Sequence, residues 1–319
     1  MSALAVHIVT HNNAATLNLC LESVRCQQLA APLHIRLFDN ASSDATRQIA
    51  AQYAHTLIES PVNLGYAAAH NRLLALSDEP YVLTLNPDVR LAPDFCAHVL
   101  RALGGKPRAG MAAACLLRCE TLHAPPESVD GAGLFMRRSR RQGLIAENAP
   151  LERRPLQAAE IFGVDGAAAC YRRQMLREIA LDGEIFDEDF FMHKEDVDLC
   201  WRAQLCGWRC IYVPEAQAQH IRTFRPNQRK RVPTWLRRLA VRNRYLLLLK
   251  NDFPAHLLRD ALPFVTYEIG ILAYMLLREP RSLIAYAQAW QLRKKMLIKR
   301  RLLRAKRRVT WRDLRHWFC

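Results

Sequence analysis

Short apolar runs alternate with amphipathic helical patterns over residues 4–86 of this chain. The apolar runs are, in order, LAVHIVT, LHIRLFD, HTLIES and YVLTLN. Helical patterns lie between them: the first has Leu17, Leu21 and Val24 on one face, and the others cover residues 44–54 and 67–76. Strand–helix–strand units of this length indicate a parallel sheet with helices on both faces. We therefore predict an α/β fold for this part of the chain.

Polar residues follow each predicted strand, as THN, DNASSD, SPVNLGY and NPD in chain order. Open parallel sheets bind ligands at the carboxyl ends of their strands. Asp39 and Asn40 can hydrogen-bond a base or ribose hydroxyl groups there, because a carboxylate accepts several hydrogen bonds. The alternative is an Asx-turn in which Asp44 caps the following helix. For Asp39 we favour ligand contact, and for Asp44 both interpretations stay open.

Two common phosphate-binding loops are missing from the sequence. No G-x-G-x-x-G follows the first strand and no G-x-x-x-x-G-K-S/T occurs, which argues against a dinucleotide-dependent dehydrogenase and a P-loop NTPase. Asp88 instead ends the fourth strand in Asn86-Pro87-Asp88, where a carboxylate can bind a divalent cation that bridges two phosphates. Gly65 would let the backbone approach a ligand closely. Taken singly, both segments also read as ordinary turns.

Three carboxylates fall within four residues of the segment FDEDFFMHKEDVDLCWR. They are Glu195, Asp196 and Asp198. They open a helical pattern, and acidic residues in a first turn are favoured by the helix dipole, so a capped helix is the simpler interpretation. That interpretation leaves the preceding FDEDFF and the later His220 unexplained. We therefore favour a catalytic site that combines a general base with a metal ligand.

Six segments in order resemble the motif series of family-2 inverting glycosyltransferases of the GT-A fold, in particular the bacterial rhamnosyltransferase-like branch. The segments are LAVHIVTHNNAATLNLCLESV, FDNASSD, NLGYAAAHN, LNPDV, VDGAAACYRR and FDEDFFMHKEDVDLCWR. The resemblance covers roughly residues 3–221. It implies a Rossmann-like, mostly parallel sheet flanked by helices, followed by a basic α-helical C-terminal extension.

The resemblance also implies a donor site built from the strand ends. Its nucleotide-binding residues would be Thr10 and Asn12 at the first strand, Asp39 and Asn40 on the pyrimidine and ribose, and Asp44 supporting the loop. Gly65 and Asn71 would face the nucleotide-sugar, and Asp165 and Gly166 would lie along the sugar pocket. The donor itself would be a nucleotide-sugar, with dTDP-rhamnose favoured over a UDP-hexose.

The implied catalytic and metal sites lie at the acidic block and the fourth strand. Asp196 would be the general base with Glu195 beside it, and Asp198 would cap or support the helix. Asp88 would bind Mg²⁺ or Mn²⁺, and His220 would contact the metal or the diphosphate. Asn86 stands where the family's D-x-D motif has its first aspartate, which removes one negative charge from the metal site.

Six arginines admit two interpretations each. Arg137, Arg138, Arg140 and Arg141 lie in GLFMRRSRRQG and can either meet an acceptor phosphate or belong to a solvated loop. Arg172 and Arg173 can approach the diphosphate or pair with the acidic block. The sequence does not decide between these alternatives.

Charge divides the chain into two parts. Residues 1–221 carry 21 Lys and Arg against 25 Asp and Glu, whereas residues 222–319 carry 25 against 5, a net charge of +20. We predict a catalytic domain over 1–221 and a basic helical region over 222–319. Such a region meets anionic lipid or nucleic acid. We favour lipid, because the acceptors implied by the resemblance are lipid-linked glycans or lipopolysaccharide.

The basic region contains its own membrane signals. Residues 261–277 are apolar but hold Pro263 and Glu268, and a spanning helix needs about 20 residues with few charges. We therefore predict an interfacial or buried helix. Trp290, Trp311 and Trp317 stand among Lys and Arg, as at a lipid headgroup boundary.

The start of the sequence bears on location. It lacks the basic flank and long apolar core of a signal peptide, and its ten cysteines include no C-x-x-C pair. We predict a cytoplasmic protein, peripheral on the inner face of the cell membrane, that moves rhamnose onto a lipid-linked glycan. A non-catalytic protein that binds a nucleotide-sugar or nucleic acid on the same fold is the alternative.

Overall fold

The computed structural model describes residues 3–222 and 232–319. Its strands are β1 Leu4–Thr10, β2 Leu33–Asn40, β3 Thr56–Ser60, β4 Tyr81–Leu85, β5 Val89–Leu91, β6 Ala109–Arg118, β7 Ser128–Gly131, β8 Leu134–Met136, β9 Gln142–Leu144, β10 Ala159–Ile161, β11 Ala168–Arg172 and β12 Arg209–His220. Its α-helices are α1 Ala14–Arg25, α2 Thr46–Ala51, α3 Gly65–Ala75, α4 Phe95–Gly104, α5 Arg173–Ile179, α6 Glu195–Leu205, α7 Thr234–Asn251, α8 Pro254–Arg259, α9 Ala261–Arg278, α10 Ile284–Lys306 and α11 Trp311–Leu314.

One large sheet forms the centre of the molecule, in the order β10-β12-β6-β11-β4-β1-β2-β3. The neighbours β4, β1, β2 and β3 are all parallel, which confirms the prediction from the apolar runs. β11 is inserted antiparallel between β4 and β6, so the sheet is mixed although mostly parallel. Helices cover the sheet, and Leu17, Leu21 and Val24 of α1 are buried against it as their spacing predicted.

The C-terminal helices share a hydrophobic core with the rest of the chain. α7 packs along α10, and α7 also contacts α6. Leu246, Met296 and Phe318 belong to the same buried cluster as Trp201 and Phe162. The change in charge at residue 221 therefore marks a change in composition within one packed body, and the two-domain division stays a prediction.

α9 presents a long apolar face to solvent. It is the one helix of the described residues that is long and apolar enough to cross a membrane, by length and composition, with a mean hydropathy of 1.3 and only 6% of its residues buried. Its outer face carries exposed apolar side chains every three or four residues: Leu262, Val265, Ile269, Leu272 and Leu276. The buried alternative for this segment is therefore wrong, and the interfacial one stays a prediction.

Glu268 lies on the inner side of α9. It accepts hydrogen bonds from Arg244 Nε at 2.9 Å and from the hydroxyl of Tyr245, both on α7. The charge that interrupts the apolar segment in the sequence is thus paired inside the protein. α9 can therefore offer an uninterrupted apolar surface on its other side.

Candidate active site

Strand pairing brings Asp88 and His220 together at one end of the sheet. β5 pairs antiparallel with β12, so that Val89 lies opposite His220, and the N–H of Ile221 donates to the Asp88 carbonyl at 3.2 Å. The two side chains face each other, with 3.6 Å between His220 Nε2 and Asp88 Oδ1. Asp88 Oδ1 is buried and has no hydrogen-bond partner in the described part of the chain. A buried carboxylate oxygen without a partner indicates a position for a cation.

A second carboxylate orients His220 from behind. Asp130, on β7, lies 2.8 Å from His220 Nδ1 and also accepts a hydrogen bond from Arg222 Nε at 2.8 Å. Burial lowers the pKa of His220, but the hydrogen bond to Asp130 and the charge of Asp88 outweigh it and raise the pKa to about 9. A carboxylate–histidine pair of this kind is the usual support of a metal-ligating imidazole.

Asp88 and His220 fit a divalent cation that takes its other ligands from a bound diphosphate. The described residues contain no group of three or more His, Cys, Asp or Glu side chains that could hold a metal by themselves. Two protein ligands plus phosphate oxygens are the common arrangement for cations bound with a nucleotide. Which cation binds is a prediction, and a proton on His220 would have to leave when it does.

Asp196 sits at the first turn of α6 and lines the same cleft as Asp88 and His220. Its Oδ2 accepts the Gly166 N–H at 3.1 Å and its Oδ1 accepts the Val197 N–H at 2.7 Å. Burial and the neighbouring charge of Asp165 raise the pKa of Asp196 to about 6. The carboxylate is therefore held in one orientation and is basic enough to accept a proton near neutral pH.

Glu195 is placed differently from its neighbour. Its side chain is buried, and its Oε2 has no hydrogen-bond partner among the described residues. Burial and repulsion from Asp196 raise the pKa of Glu195 well above its usual value. Burial therefore favours the neutral form of Glu195 beside the candidate base.

Asp198 is structural, as predicted. It is fully buried and accepts hydrogen bonds from Arg202 Nε, Asn251 Nδ2 and Lys250 Nζ, each at 2.8 Å. Lys250 also bonds Asp187, which in turn accepts from Lys299 at 2.6 Å. These contacts tie α7 and α10 to both ends of the acidic block.

The segment before α6 has a strained backbone. Phe191, His193 and Lys194 all have positive φ values, of 63°, 70° and 69°. Residues other than glycine adopt this conformation rarely, and it concentrates at functional sites. Asn243 of α7 supports the segment by donating to the His193 carbonyl at 2.7 Å.

Gly65 and Asn71 hold this segment in place, and their predicted contact with a donor stays a prediction. Gly65 has φ +82°, and a Cβ there would lie 2.5 Å from the Phe191 ring and 2.6 Å from its carbonyl oxygen. Asn71 donates to the Phe186 carbonyl at 2.8 Å and accepts from its N–H at 2.9 Å. The close backbone approach expected at Gly65 is therefore a contact with Phe191, in the segment before α6.

The predicted nucleotide-binding residues cluster at the ends of β1 and β2. Asp39 is buried, and its two oxygens accept the Thr10 hydroxyl at 3.2 Å and the Ser42 N–H at 3.0 Å. Asn40 bonds the backbone of Leu64 and Gly65 through both ends of its amide. Asn40 and Asp39 thus shape this edge of the sheet, and their contact with a nucleotide stays a prediction.

Asp44 and Asn12 lie in the two loops that follow β2 and β1. Asp44 accepts the Ala14 N–H at 3.1 Å and the Thr46 N–H at 3.0 Å, so it caps the starts of α1 and α2. These contacts support the capping interpretation, and contact of Asp44 with a nucleotide stays a prediction. Asn12 accepts the Ser43 N–H at 2.8 Å and closes the gap between the two strand ends.

Seven predicted residues line one cleft. They are Asn86, Asp88, Asp165, Gly166, Glu195, Asp196 and His220. Lys194 and Arg222 line it too, and sequence reasoning missed both. The signal for Arg222 is its position two residues after His220, since alternate strand residues share a face. The signal for Lys194 is weaker, because only the positive φ and the folding of the loop bring it to the cleft.

A cationic cleft opens on the other side of Asp196. Arg137, Arg141, Lys194 and Arg222 line it together with Asp165 and Asp196, and its volume is about 450 Å³. Burial and the charge of Arg244 lower the pKa of Lys194 to about 7. The four neighbouring cations make this cleft attractive to an anionic group.

The other arginines are structural. Arg140 is buried and pairs with Asp252 at 2.8 Å and Asp260 at 2.7 Å, and Arg138 also pairs with Asp260. Arg172 and Arg173 donate hydrogen bonds to backbone carbonyls near the start of β4, which is the opposite end of that strand from Asn86 and Asp88. Neither approaches the diphosphate or the acidic block, so both predicted roles for that pair are wrong.

Comparison with known proteins identifies the family that the chain resembles in sequence. The family model for Glycosyl transferase family 2 matches residues 5–180. The N-acetylglucosaminyl-diphospho-decaprenol L-rhamnosyltransferase of Mycobacterium tuberculosis is 32% identical over 214 residues, which are 59% of this chain and 66% of that protein. The match thus spans slightly less than two thirds of the mycobacterial protein. Rhamnosyltransferase WbbL of Escherichia coli is 26% identical over 227 residues, 67% of this chain and 81% of WbbL.

Solved structures with the same fold include three sugar transferases. GalNAc-T7 with UDP, GalNAc and Mn²⁺ has a TM-score of 0.61 and 15% identity, over 78% of this chain and 48% of that one. The mannosyltransferase PcManGT of Pyrobaculum calidifontis with GDP-Man and Mn²⁺ has a TM-score of 0.55 and 16% identity, over 98% and 87%. S. aureus TarS residues 1–349 with UDP-GlcNAc have a TM-score of 0.57 and 14% identity, over 96% and 91%. These likenesses confirm the GT-A architecture.

Proposed function

Because the chain belongs to Glycosyl transferase family 2, we propose that it transfers a sugar from a nucleotide-sugar to a hydroxyl group of a lipid-linked saccharide, with inversion at the anomeric carbon. One observation carries this proposal. Asp196, with a pKa raised to about 6, and the Asp88–His220 pair line a single cleft. A base and a diphosphate site in one cleft are what direct displacement of a nucleotide requires.

In the proposed reaction Asp196 accepts the proton of the acceptor hydroxyl while the acceptor oxygen forms a bond to the anomeric carbon. The bond from that carbon to the diphosphate breaks at the same time, and the diphosphate leaves with the electron pair. The N–H groups of Gly166 and Val197 hold the carboxylate in position for this transfer. Burial of Glu195 favours its neutral form, which limits the negative charge next to the attacking oxygen.

Asp88 and His220 would hold a divalent cation, Mg²⁺ or Mn²⁺, beside the diphosphate. Such a cation, when bound, stabilises the negative charge that develops on the leaving group. Arg222, fixed by Asp130 and Asp165, supplies a further positive charge from the protein itself. His220 stays correctly oriented because Asp130 holds its other ring nitrogen.

We propose dTDP-rhamnose as the donor. The relatives from M. tuberculosis and E. coli both carry rhamnosyltransferase names, and they support this choice over a UDP-hexose. The experiment is a panel of nucleotide-sugars with an undecaprenyl-diphosphate-linked saccharide acceptor, measured as nucleotide release with and without EDTA. We expect release from dTDP-rhamnose, its loss in EDTA, and its recovery on addition of Mg²⁺ or Mn²⁺.

The Asp88→Asn variant is the matched test of the metal site, because it removes one charge and keeps the shape. It should need a higher cation concentration for half-maximal release. If nucleotide were released from a UDP-hexose and not from dTDP-rhamnose, the UDP-hexose would be the donor. No release from any donor, with donor binding intact, would favour the non-catalytic alternative.

We propose that the protein acts at the cytoplasmic membrane surface, where α9 provides the contact. Several cations of the basic region are engaged inside the protein: Lys250 and Lys299 bind the acidic block, and Arg244 binds Glu268. Net charge therefore overstates the attraction to anionic lipid. The exposed apolar stripe of α9 supplies the larger part of the expected binding free energy.

Replacing Leu262 and Leu276 together by Glu should weaken binding to vesicles of phosphatidylglycerol and phosphatidylcholine by at least about 100-fold, because each buried leucine contributes about 1.5–3 kcal/mol and about 1.4 kcal/mol is a tenfold change in affinity. Co-sedimentation measures the effect. Leu156→Glu is the control, since Leu156 is 67% exposed and lies far from α9 in the chain, against 77% for Leu262. Equal sedimentation of the double variant and the wild type would contradict the assignment of α9.

A further inference from the structure

The turn between β8 and β9, which we call the arginine loop (residues 137–141), carries four arginines that fall into two pairs. Arg138 and Arg140 both form ion pairs with Asp260. Arg137 and Arg141 are exposed, and neither forms an ion pair with a carboxylate among the described residues. Two arginines of this loop are therefore available to an anion from outside the protein.

The backbone of the arginine loop is fixed by the rest of the protein. Arg244 donates to the carbonyls of Ser139 and Arg140, each at 2.6 Å. The Arg137 N–H donates to the Arg141 carbonyl at 2.9 Å and closes the turn, in which Arg140 has a positive φ of 61°. Such a conformation concentrates at functional sites. The turn therefore presents its two exposed arginines from a supported backbone.

The carboxylates of the cationic cleft are already engaged. Three of them line it: Glu147, Asp165 and Asp196. Asp165 pairs with Arg222, and Glu147 lies 3.7 Å from Arg118. Asp196 accepts two backbone N–H groups. The positive charge of the arginine loop therefore has no carboxylate partner inside the cleft and attracts an external anion.

The cationic cleft shares the candidate base with the catalytic cleft but does not share the candidate metal site. Asp196 and Lys194 line both clefts. Asp88 lines only the catalytic cleft, whereas Arg137 and Arg141 line only the cationic one. An anion bound by the arginine loop therefore lies beside the base and apart from the site proposed for the donor diphosphate. Because the base takes its proton from the acceptor, a group bound there belongs to the acceptor.

We propose that the cationic cleft binds a phosphate group of the acceptor, the one that joins its saccharide to the carrier. This inference rests on the proposed function, because it names the part of the acceptor that this surface recognises. An arginine donates two parallel hydrogen bonds to phosphate oxygens, and Arg137 and Arg141 supply two such groups. Lys194 adds a third cation next to Asp196.

The test compares two soluble acceptors with the saccharide of the donor panel, one a butyl diphosphate and one a neutral butyl glycoside. Hydrogen bonds to a charged group change affinity by about 10-fold or more, so the wild type should have a correspondingly lower KM for the diphosphate acceptor. Replacing Arg137 and Arg141 together by Gln should remove most of this difference by raising that KM. Added salt should raise the same KM, because it screens exposed charges.

Arg153→Gln is the matched control, because Arg153 is also exposed and lies outside the cationic cleft. It should keep the wild-type KM for both acceptors. Equal KM values for the two acceptors in the wild type, or an unchanged difference in the double arginine variant, would overturn the proposal.

Calorimetric titration with the diphosphate acceptor in EDTA measures binding without turnover and without a bound cation. The double arginine variant should bind about 10-fold more weakly than the wild type, whereas Asp88→Asn should bind equally well. The reverse result would place the diphosphate at the donor site and overturn the proposal. Binding that depends on the two arginines, without transfer to either acceptor, would contradict the proposed function and support the anion site.

Two other sources of phosphate are tested separately. Inorganic phosphate that bound as tightly as the diphosphate acceptor would indicate a site for the free anion and overturn the assignment to the acceptor. Vesicles of phosphatidylglycerol test lipid headgroups, and the double arginine variant should sediment with them as the wild type does. Loss of sedimentation together with an unchanged KM for the diphosphate acceptor would assign the arginines to headgroups and overturn the proposal.

Discussion

Asp196→Asn should lower the rate of sugar transfer by at least about 10²–10⁴-fold, the usual contribution of a positioned general base. The amide has nearly the same shape as the carboxylate but cannot accept a proton from the acceptor hydroxyl. The donor should still bind, because its implied contacts lie at the strand ends and at Asp88. The measurement is kcat for transfer, together with the Kd of the donor by calorimetry.

Two further observations separate the roles of the adjacent carboxylates. Glu195→Gln should lose less activity than Asp196→Asn, since burial already favours the neutral form of Glu195. In the wild type, kcat/KM should fall as the pH drops through about 6, because a base with that pKa becomes protonated there. Normal turnover in Asp196→Asn, or an equal loss of activity in Glu195→Gln, would contradict the assignment of Asp196 as the general base.

Lys250→Met should lower the free energy of unfolding by about 3–5 kcal/mol, the cost of removing one partner from a buried ion pair. Lys250 is fully buried, and its Nζ contacts Asp198 at 2.8 Å and also bonds Asp187. Methionine fills the same space but removes one of the two buried cations that contact Asp198, so that only Arg202 remains. Urea unfolding followed by circular dichroism measures the loss.

Lys295→Met is the matched control on α10. Lys295 is 63% exposed and pairs with Asp189 at 2.8 Å. Exposed pairs contribute about 0–1 kcal/mol, so this variant should unfold nearly as the wild type does. If Lys250→Met were equally harmless, the buried contacts between α7 and the acidic block would not stabilise the fold.

The lowered pKa of Asp187 also indicates that buried ion pairs stabilise the acidic segment. Burial raises the pKa of Asp187, but Lys250 and Lys299 outweigh it and hold the pKa well below its usual range. A carboxylate with a lowered pKa stabilises the fold above its unfolded pKa, and that stability is lost as the pH falls. The acidic segment thus depends on cations that the sequence alone assigned to a membrane surface.

The parallel strands, the helices between them and the candidate residues at the strand ends all followed from the sequence. Each depends on local features: apolar periodicity predicts an element, and the direction of a parallel strand decides where its polar residues lie. The resemblance added roles to residues that this pattern had already placed.

Other features could not be predicted, because they depend on contacts between distant segments. Asp130 drew no attention in the sequence, yet it orients His220 through the pairing of β6 with β7 and β12. Asn71 bonds Phe186, a contact that the sequence did not predict. Glu268 was expected to weaken an apolar helix and is paired with Arg244 inside the protein.

The sequence by itself determined the fold class, the family and the candidate base, because short-range patterns and ordered motifs carry that information. Only the tertiary structure showed how the surroundings of Glu195, Asp196 and Asp198 differ. Burial raises the pKa of Glu195 and, together with the charge of Asp165, the pKa of Asp196, whereas Asp198 is paired with Lys250 and Arg202. These through-space interactions arise only when the chain has folded.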